Sequence, residues 1–193
     1  MDKEKRIAFF DDKAEGWDRN SQERKEELSS LLSLLPLKKG RKVLDVACGT
    51  GVRTPLLEEI TQAEVKAIDF SPKRIEKAKE KYKRKKNRVF VCEDFLEGKE
   101  SGYDFVLIFN AYPHFLDVKE FEASLAKAVR QGGYFAILHD LSRQELTRHH
   151  RHCQDLSREL KPAKEEAKPF EKDFTIEKTQ EGEHLFLILG KRK

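Results

Sequence analysis

The run Val43-Leu44-Asp45-Val46-Ala47-Cys48-Gly49-Thr50-Gly51 is where residue types and spacing first suggest chemistry. An apolar segment ends there in a Gly-x-Gly turn, and glycines let backbone approach a ligand where a side chain would collide. A dinucleotide site would want a third glycine and a pyrophosphate at the helix start. The pattern stops at two glycines and Asp45 adds negative charge, so a cationic ligand fits better than an anionic one. Eighteen residues beyond Gly51, Asp69 closes the next apolar segment, where a carboxylate can accept hydrogen bonds from both hydroxyls of a ribose. The segment after it ends in Glu93-Asp94-Phe95, an acid that can take an adenine amino group beside a ring that can cover the base. Taken singly, each has a plainer reading: Asp45 and Asp69 as caps or turn formers, Phe95 as core, the glycines as a tight turn.

The elements that must hold these groups are legible from hydrophobic period. KVLDVAC, EVKAIDF, NRVFVCEDF, YDFVLIFNAY and GYFAILHD are short apolar runs separated by Lys/Glu-rich segments of helical character. Strands alternating with helices imply an α/β fold with a parallel sheet, whose binding crevice lies at the carboxyl ends of the strands. The spacing predicts helices near 52–62, 72–86, 117–130 and 142–160. Ser71-Pro72 is a start signal and Gly132-Gly133 a stop. Leu28, Leu31, Leu32, Leu34 and Leu35 predict a packing helix stopped by Pro36. The final FTIEKTQEGEHLFLILGKRK reads as two antiparallel strands about a Glu-Gly turn.

At this point the residues are recognisable together. VLDVACGTG, AIDFSP, CEDF, YDFVLIFNAYPHF and VRQGGYFAILHD, in that order, resemble the class I S-adenosylmethionine-dependent methyltransferases over residues 9 to 140. The resemblance implies a doubly wound, mostly parallel seven-stranded sheet with a C-terminal antiparallel hairpin, and S-adenosylmethionine as cofactor with S-adenosylhomocysteine as product. Asp45, Ala47, Gly49 and Gly51 map to the turn that carries the methionine part, Asp69 to the ribose acid, and Asp94 and Phe95 to the adenine site. Thr50, Phe70 and Asn110 complete the expected cofactor set. FFDDKAEGWD looks like the short cofactor-covering helix of the ubiquinone/menaquinone-type enzymes, which would put Trp17 near the sulfonium, a cation beside an aromatic face. One methyltransferase domain over 1–193 is expected, with covering helices in 1–40 and a substrate lid in 141–172.

Methyl transfer from a sulfonium is an in-line displacement, so the protein must align an acceptor lone pair, exclude water and, where needed, remove a proton. The expected catalytic residues are His114, His139 and Tyr112, with Asn110 and Asp140 beside them at strand ends. As bases the order is His114, His139, His150, since neutral imidazole is available near pH 7. Asn110-Ala111-Tyr112-Pro113 departs from the Asn-Pro-Pro-Tyr type of motif used for amino groups of nucleobases, which lowers the weight of base methylation. His149 and Cys153 share a helical face, but spacing supplies no complete ligand set, and a polar helix without metal is the preferred reading.

Composition bounds the alternatives. The chain has 193 residues, of which 38% are charged and 38% hydrophobic, with a formal charge of +4. The apolar residues come in blocks, which argues against general disorder. No stretch approaches a membrane span, and the N-terminus lacks signal-peptide features, so a cytoplasmic protein is expected. Three cysteines without zinc-finger spacing fit a reducing compartment. The Lys/Glu excess suggests a thermophilic source. Lys73 to Arg88 holds ten basic and two acidic residues, a local net charge of +8. Its bland reading is the solvated face of a helix whose buried stripe is Ile75, Ala78 and Tyr82; its sharp reading is an RNA or acidic-partner contact. The leading expectation is therefore a methyltransferase for a small-molecule thiol, amine or ring carbon. The alternatives are an RNA or protein methyltransferase using helix 73–88, and a cofactor-binding protein without turnover.

Overall fold

Val, Ile and Phe dominate the apolar runs, and these β-favouring residues form the strands of a seven-stranded sheet in the order β3-β2-β1-β4-β5-β7-β6. The computed structural model describes residues 3–12, 25–83, 87–150 and 155–193. Trp17 and Cys153 lie outside the described residues, as does the side chain of His150. The chain divides into two compact units, Met1–Glu97 and Gly98–Lys193.

In the first unit, β1 (Val43–Val46), β2 (Val65–Asp69) and β3 (Arg88–Cys92) are parallel, with β2 central. The registers Asp45↔Ala67 and Asp69↔Cys92 bring the strand ends, and hence the acids, to one edge of the sheet. Helices α1 (Lys3–Asp12), α2 (Lys25–Leu32), α3 (Thr54–Thr61) and α4 (Pro72–Lys81) belong to this unit. Helix α4 starts as its sequence demands: Ser71 is the N-cap, its Oγ accepting from the Arg74 amide at 3.3 Å, and Pro72 occupies the first turn. Its stripe of Ile75 and Ala78 is buried against Cys48, Ala67 and Phe90, with Tyr82 stacked on Phe90 at 5.8 Å. Helix α2 ends at Leu32, before the expected Leu35. The chain turns there through bonds from Leu34 to Leu31 and from Leu35 to Leu32, burying Leu35 and exposing Leu34.

In the second unit, β4 (Tyr103–Phe109) and β5 (Val129–His139) are parallel, while β7 (Leu185–Arg192) runs antiparallel to both β5 and β6 (Phe174–Gly182). The hairpin is as expected, but its loop is Glu183-His184, just after the Glu-Gly pair, because Gly182 pairs with Leu185. Helix α5 (Val118–Ala128) is capped by Asp117, whose Oδ1 accepts from the Lys119 and Glu120 amides at 2.9 and 3.0 Å. It stops at Ala128, and Gly132-Gly133 lie within β5 instead of ending the helix. A Cβ on Gly133 would come within 3.0 Å of the Tyr103 carbonyl, so the glycine serves close strand approach.

The largest departure is the expected helix 142–160. A capping box, with Ser142 and Glu145 bonding each other's backbone amides, starts α6 at Arg143, but the helix ends at His150. Residues 155–162 are non-helical, followed by α7 (Ala163–Glu166) and a 3-10 turn, Lys168–Lys172. The reason is tertiary: the Arg158 amide donates to the Pro113 carbonyl at 2.9 Å, not to a carbonyl one turn back. Among the described residues no helix is long and apolar enough to cross a membrane.

Candidate functional site

In the first unit the turn after β1 carries Ala47, Gly49 and Gly51, all with positive φ (54°, 59° and 77°). For Ala47 this is a strained conformation, held by bonds around it. The Cys48 amide donates to the Ile68 carbonyl at 3.0 Å, and the Gly49 amide to Asp69 Oδ2 at 2.8 Å. The two glycines do different jobs. A Cβ on Gly51 would lie 2.6 Å from the Phe90 ring, whereas one on Gly49 would meet nothing within 4 Å, so Gly49 borders open space. Thr50 is buried between them.

Asp45 is fully buried at the end of β1. Its Oδ2 accepts from Thr54 Oγ1 at 3.0 Å, and its Oδ1 lies 3.6 Å from Arg53 Nη2 without accepting a hydrogen bond. Burial raises its pKa above the usual carboxylate range, outweighing Arg53 and Thr54, and the charge of Asp69 adds to the rise. Asp69 is likewise raised, chiefly by burial, against the opposing effects of Arg74 and of the amides it binds. Its Oδ1 accepts from the Ser71 amide at 2.9 Å while Oδ2 holds Gly49, so the acid ties the turn to the start of α4. Each oxygen keeps a second lone pair for a ligand hydroxyl.

Helix α1 packs directly beside this carboxylate. Phe10 meets Phe70 edge-on at 5.3 Å, Arg6 lies 5.4 Å above the Phe70 ring, and Ser71 Oγ donates to Asp11 Oδ1. Arg74 Nε donates to the Phe10 carbonyl at 3.2 Å, and its guanidinium lies 4.8 Å above the Phe10 ring. Arg74 is thus a buried cation, and Arg88 pairs with Glu58; neither belongs to a freely solvated basic face. Asp94 accepts from the Leu96 amide at 3.2 Å, opening a 3-10 turn, and Phe95 is buried. Sequence reasoning placed Phe10 and Asp11 only within the covering stretch FFDDKAEGWD and missed Arg53 and Arg74, because their contacts join segments remote in the chain or depend on the exact path of the turn.

In the second unit, Asn110 (φ 53°) and Asp140 join the ends of β4 and β5. Asn110 Nδ2 donates to Asp140 Oδ1 at 2.8 Å, and the Asp140 amide donates back to Asn110 Oδ1 at 3.2 Å. Tyr112, expected to be catalytic, is wholly buried; its hydroxyl donates to Glu166 Oε2 at 3.1 Å, and burial drives its pKa upward. His139 is also wholly buried, its ring edge-on to Phe186 at 5.7 Å. His114 is partly exposed, and its Nδ1 lies 3.0 Å from the Leu156 carbonyl. A carbonyl only accepts, so Nδ1 carries a proton, and in the neutral form of the ring the lone pair is at Nε2. The structure brings together Asn110 with Asp140, and Tyr112 with Glu166. It separates these by role: His114 alone of the three expected catalytic side chains is partly exposed. Among the described residues no group of three or more His, Cys, Asp or Glu is arranged to hold a metal ion.

Residues 43–133 match the family model described as a methyltransferase domain. An O-methyltransferase of Penicillium expansum is 30% identical over 103 residues, 51% of this chain and 37% of that protein. Human glycine N-methyltransferase is 32% identical over 130 residues, 56% of this chain and 44% of that protein. The chain therefore spans less than half the length of these two relatives. A solved S-adenosylmethionine-dependent methyltransferase from Aquifex aeolicus has the same fold, with a TM-score of 0.77 at 21% identity over 95% of this chain and 98% of that one. Residues 43–133 thus match a methyltransferase domain, and the chain has the fold of the S-adenosylmethionine-dependent methyltransferases, whose cofactor is S-adenosylmethionine.

The residues present fit that cofactor. A buried carboxylate oxygen on Asp45 that accepts no hydrogen bond, together with open space at Gly49, suits a ligand whose methionine part carries an ammonium group.

Proposed function

We propose that this protein transfers a methyl group from S-adenosylmethionine to a small-molecule acceptor with a removable proton, a thiol or amine first among them. The observation that carries the acceptor half is the His114 imidazole, whose Nδ1–H is committed to the Leu156 carbonyl, so that its basic lone pair lies on Nε2. The similarity to O- and N-methyltransferases supports the same reading.

On the cofactor side, Asp45 and the Gly49 turn hold the methionine part, Asp69 the ribose, and Asp94 with Phe95 the adenine end, while α1 covers Phe70 and the turn into α4. Bound S-adenosylmethionine supplies an electrophilic methyl on a positively charged sulfur. His114 Nε2 would receive the acceptor's proton as the acceptor's lone pair bonds the methyl carbon and the methyl–sulfur pair returns to sulfur, leaving S-adenosylhomocysteine; the nucleophile stays uncharged until it reacts. Within residues 141–172, taken as the acceptor-side lid, the Arg158 amide donates to the Pro113 carbonyl and the Leu156 carbonyl accepts from His114 Nδ1, which holds the base in place.

A macromolecular acceptor is the second reading, favoured by the exposed Lys73, Lys79 and Lys81 on α4. Isothermal titration with S-adenosylmethionine and S-adenosylhomocysteine tests the cofactor half; binding of both in the micromolar range is expected, and binding of neither overturns it. A screen of thiols, amines and quinols for methyl transfer then tests the acceptor. His114→Ala should lower turnover about 100-fold or more with cofactor affinity unchanged, the usual scale for a lost general base. Activity confined to RNA, weakening steeply with salt, would move the assignment to the second reading.

A further inference from the structure

Arg158 holds the backbone on both sides of His114. Its amide donates to the carbonyl of Pro113 at 2.9 Å, and its Nε donates to the carbonyl of Phe115 at 3.3 Å. The rest of the guanidinium is fixed in turn: Nη1 and Nη2 each reach one oxygen of Glu166 at 2.8 Å, a two-point fork that a planar guanidinium suits and an ammonium does not. Glu166 also accepts from the Lys161 amide at 2.8 Å and from the Tyr112 hydroxyl at 3.1 Å, and the Arg158 guanidinium lies 4.5 Å above the Tyr112 ring. Two residues before Arg158 stands Leu156, whose carbonyl takes the His114 Nδ1 proton.

From this geometry we propose that Arg158, locked by Glu166, is a positioning residue that sets the tautomer of His114 by fastening segment 155–166 onto the 112–115 turn. The proposal deepens the reading of His114 as the acceptor-side base and rests on it for its functional consequence. Fastened, the segment presents the Leu156 carbonyl to Nδ1, and the imidazole is held as the Nδ1–H form with Nε2 basic. Unfastened, that carbonyl is no longer fixed, and the ring redistributes between its two tautomers. Tyr112 and Glu166 thereby acquire a role away from the reacting atoms: they fill the core under the clasp and supply its counter-charge.

The test is nitrogen NMR of the full-length protein with ¹⁵N-labelled histidine, the His114 signals being assigned by their loss in His114→Ala. The native protein should show His114 as a single Nδ1–H tautomer at neutral pH. Arg158→Lys, which keeps the charge but not the fork, should give a tautomer mixture, and so should Glu166→Gln. With an active acceptor, Arg158→Lys should lower kcat and shift the acid limb of its pH profile, leaving the KM for S-adenosylmethionine unchanged. A native Nε2–H tautomer, or an Nδ1–H tautomer fully retained in a folded Arg158→Lys protein, overturns the proposal. If Arg158→Lys does not fold, Glu166→Gln decides by the same signals, and Tyr112→Phe, the mildest loosening, does so if neither folds. The tautomer readout needs neither cofactor nor acceptor. Turnover that survives His114→Ala would remove the base assignment while leaving the tautomer result in place, so the two failures are distinguishable.

Discussion

The two units bury their carboxylates in opposite electrical circumstances. In the first, Asp45 receives one hydrogen bond and a 3.6 Å ion-pair contact, and Asp69 binds two backbone amides; both are pushed toward protonation by burial. In the second, Glu166 receives both arms of Arg158, an amide and a phenol. Burial pushes its pKa up, yet these donors prevail and hold it below the usual range. A carboxylate left partly compensated suits a cationic ligand that will complete it, whereas a fully compensated one suits structure. The same side-chain chemistry thus marks the proposed binding site in one place and a fastening in the other.

The sharpest way to break that contrast is to remove Glu166. Glu166→Ala leaves the Arg158 cation without its buried partner and should destabilise the protein by about 3 kcal/mol, with little direct effect on cofactor affinity; denaturant unfolding and cofactor titration of the variant check both halves. Asp69→Ala should act in both respects. It removes the proposed ribose acceptor and also leaves the Gly49 and Ser71 amides without their acceptor. A cofactor affinity loss on the order of 2–3 kcal/mol is expected together with a lower denaturation midpoint, and unchanged affinity by calorimetry would remove Asp69 from the site.

The glycines sharpen the comparison within a single turn. Gly51→Ala meets the Phe90 ring in addition to the left-handed backbone cost and should lose roughly 2–3 kcal/mol of stability. Gly49→Ala carries the backbone cost alone, about 1–2 kcal/mol, but should weaken S-adenosylmethionine binding more than Gly51→Ala does when corrected for folding. Equal effects of the two on binding would mean that the open space at Gly49 is not where the ligand approaches.

The smallest effect is in pH. Asp45 and Asp69 have folded-state pKa values above their unfolded ones, so their titration favours the folded state at low pH, and that contribution is lost as pH rises through the raised values. Glu166 has the opposite sign: its contribution is present above the ordinary Glu pKa and is lost as pH falls through the depressed folded value. If Asp45 holds the cofactor's ammonium as proposed, it must do so as carboxylate, and affinity should decline on acidification before segment 155–166 loosens. Calorimetry at pH 7, 6 and 5, beside hydrogen exchange of 155–166 corrected for intrinsic rate, checks the order; simultaneous loss would erase the distinction between the units.

Much of the first unit was readable because its information is local. The strand ends at Asp45 and Asp69, the Ser71-Pro72 start of α4 and the Ile75/Ala78/Tyr82 stripe all lie within one strand, turn or helical period. The second unit yielded its strands and hairpin by the same logic, but segment 142–160 has helical composition, and composition does not record that a remote carbonyl at Pro113 will take the Arg158 amide. His139 ends β5 as expected and Tyr112 falls in a 3-10 turn just beyond β4, yet only packing decided that both would be enclosed while His114 kept partial exposure.

Sequence alone therefore determined the strand and helix alternation, the glycine turn, the acids at successive strand ends and the family they resemble. The elements and the turn follow from hydrophobic period and backbone sterics over a few residues, and the family from the resemblance of the motifs taken in order. Only the tertiary structure decided which carboxylates are compensated, which glycine faces open space and which histidine meets a backbone carbonyl through Nδ1. Those properties depend on donors and rings brought from 20 to 64 residues away, as in Gly49 to Asp69, Arg74 to Phe10 and Tyr112 to Glu166.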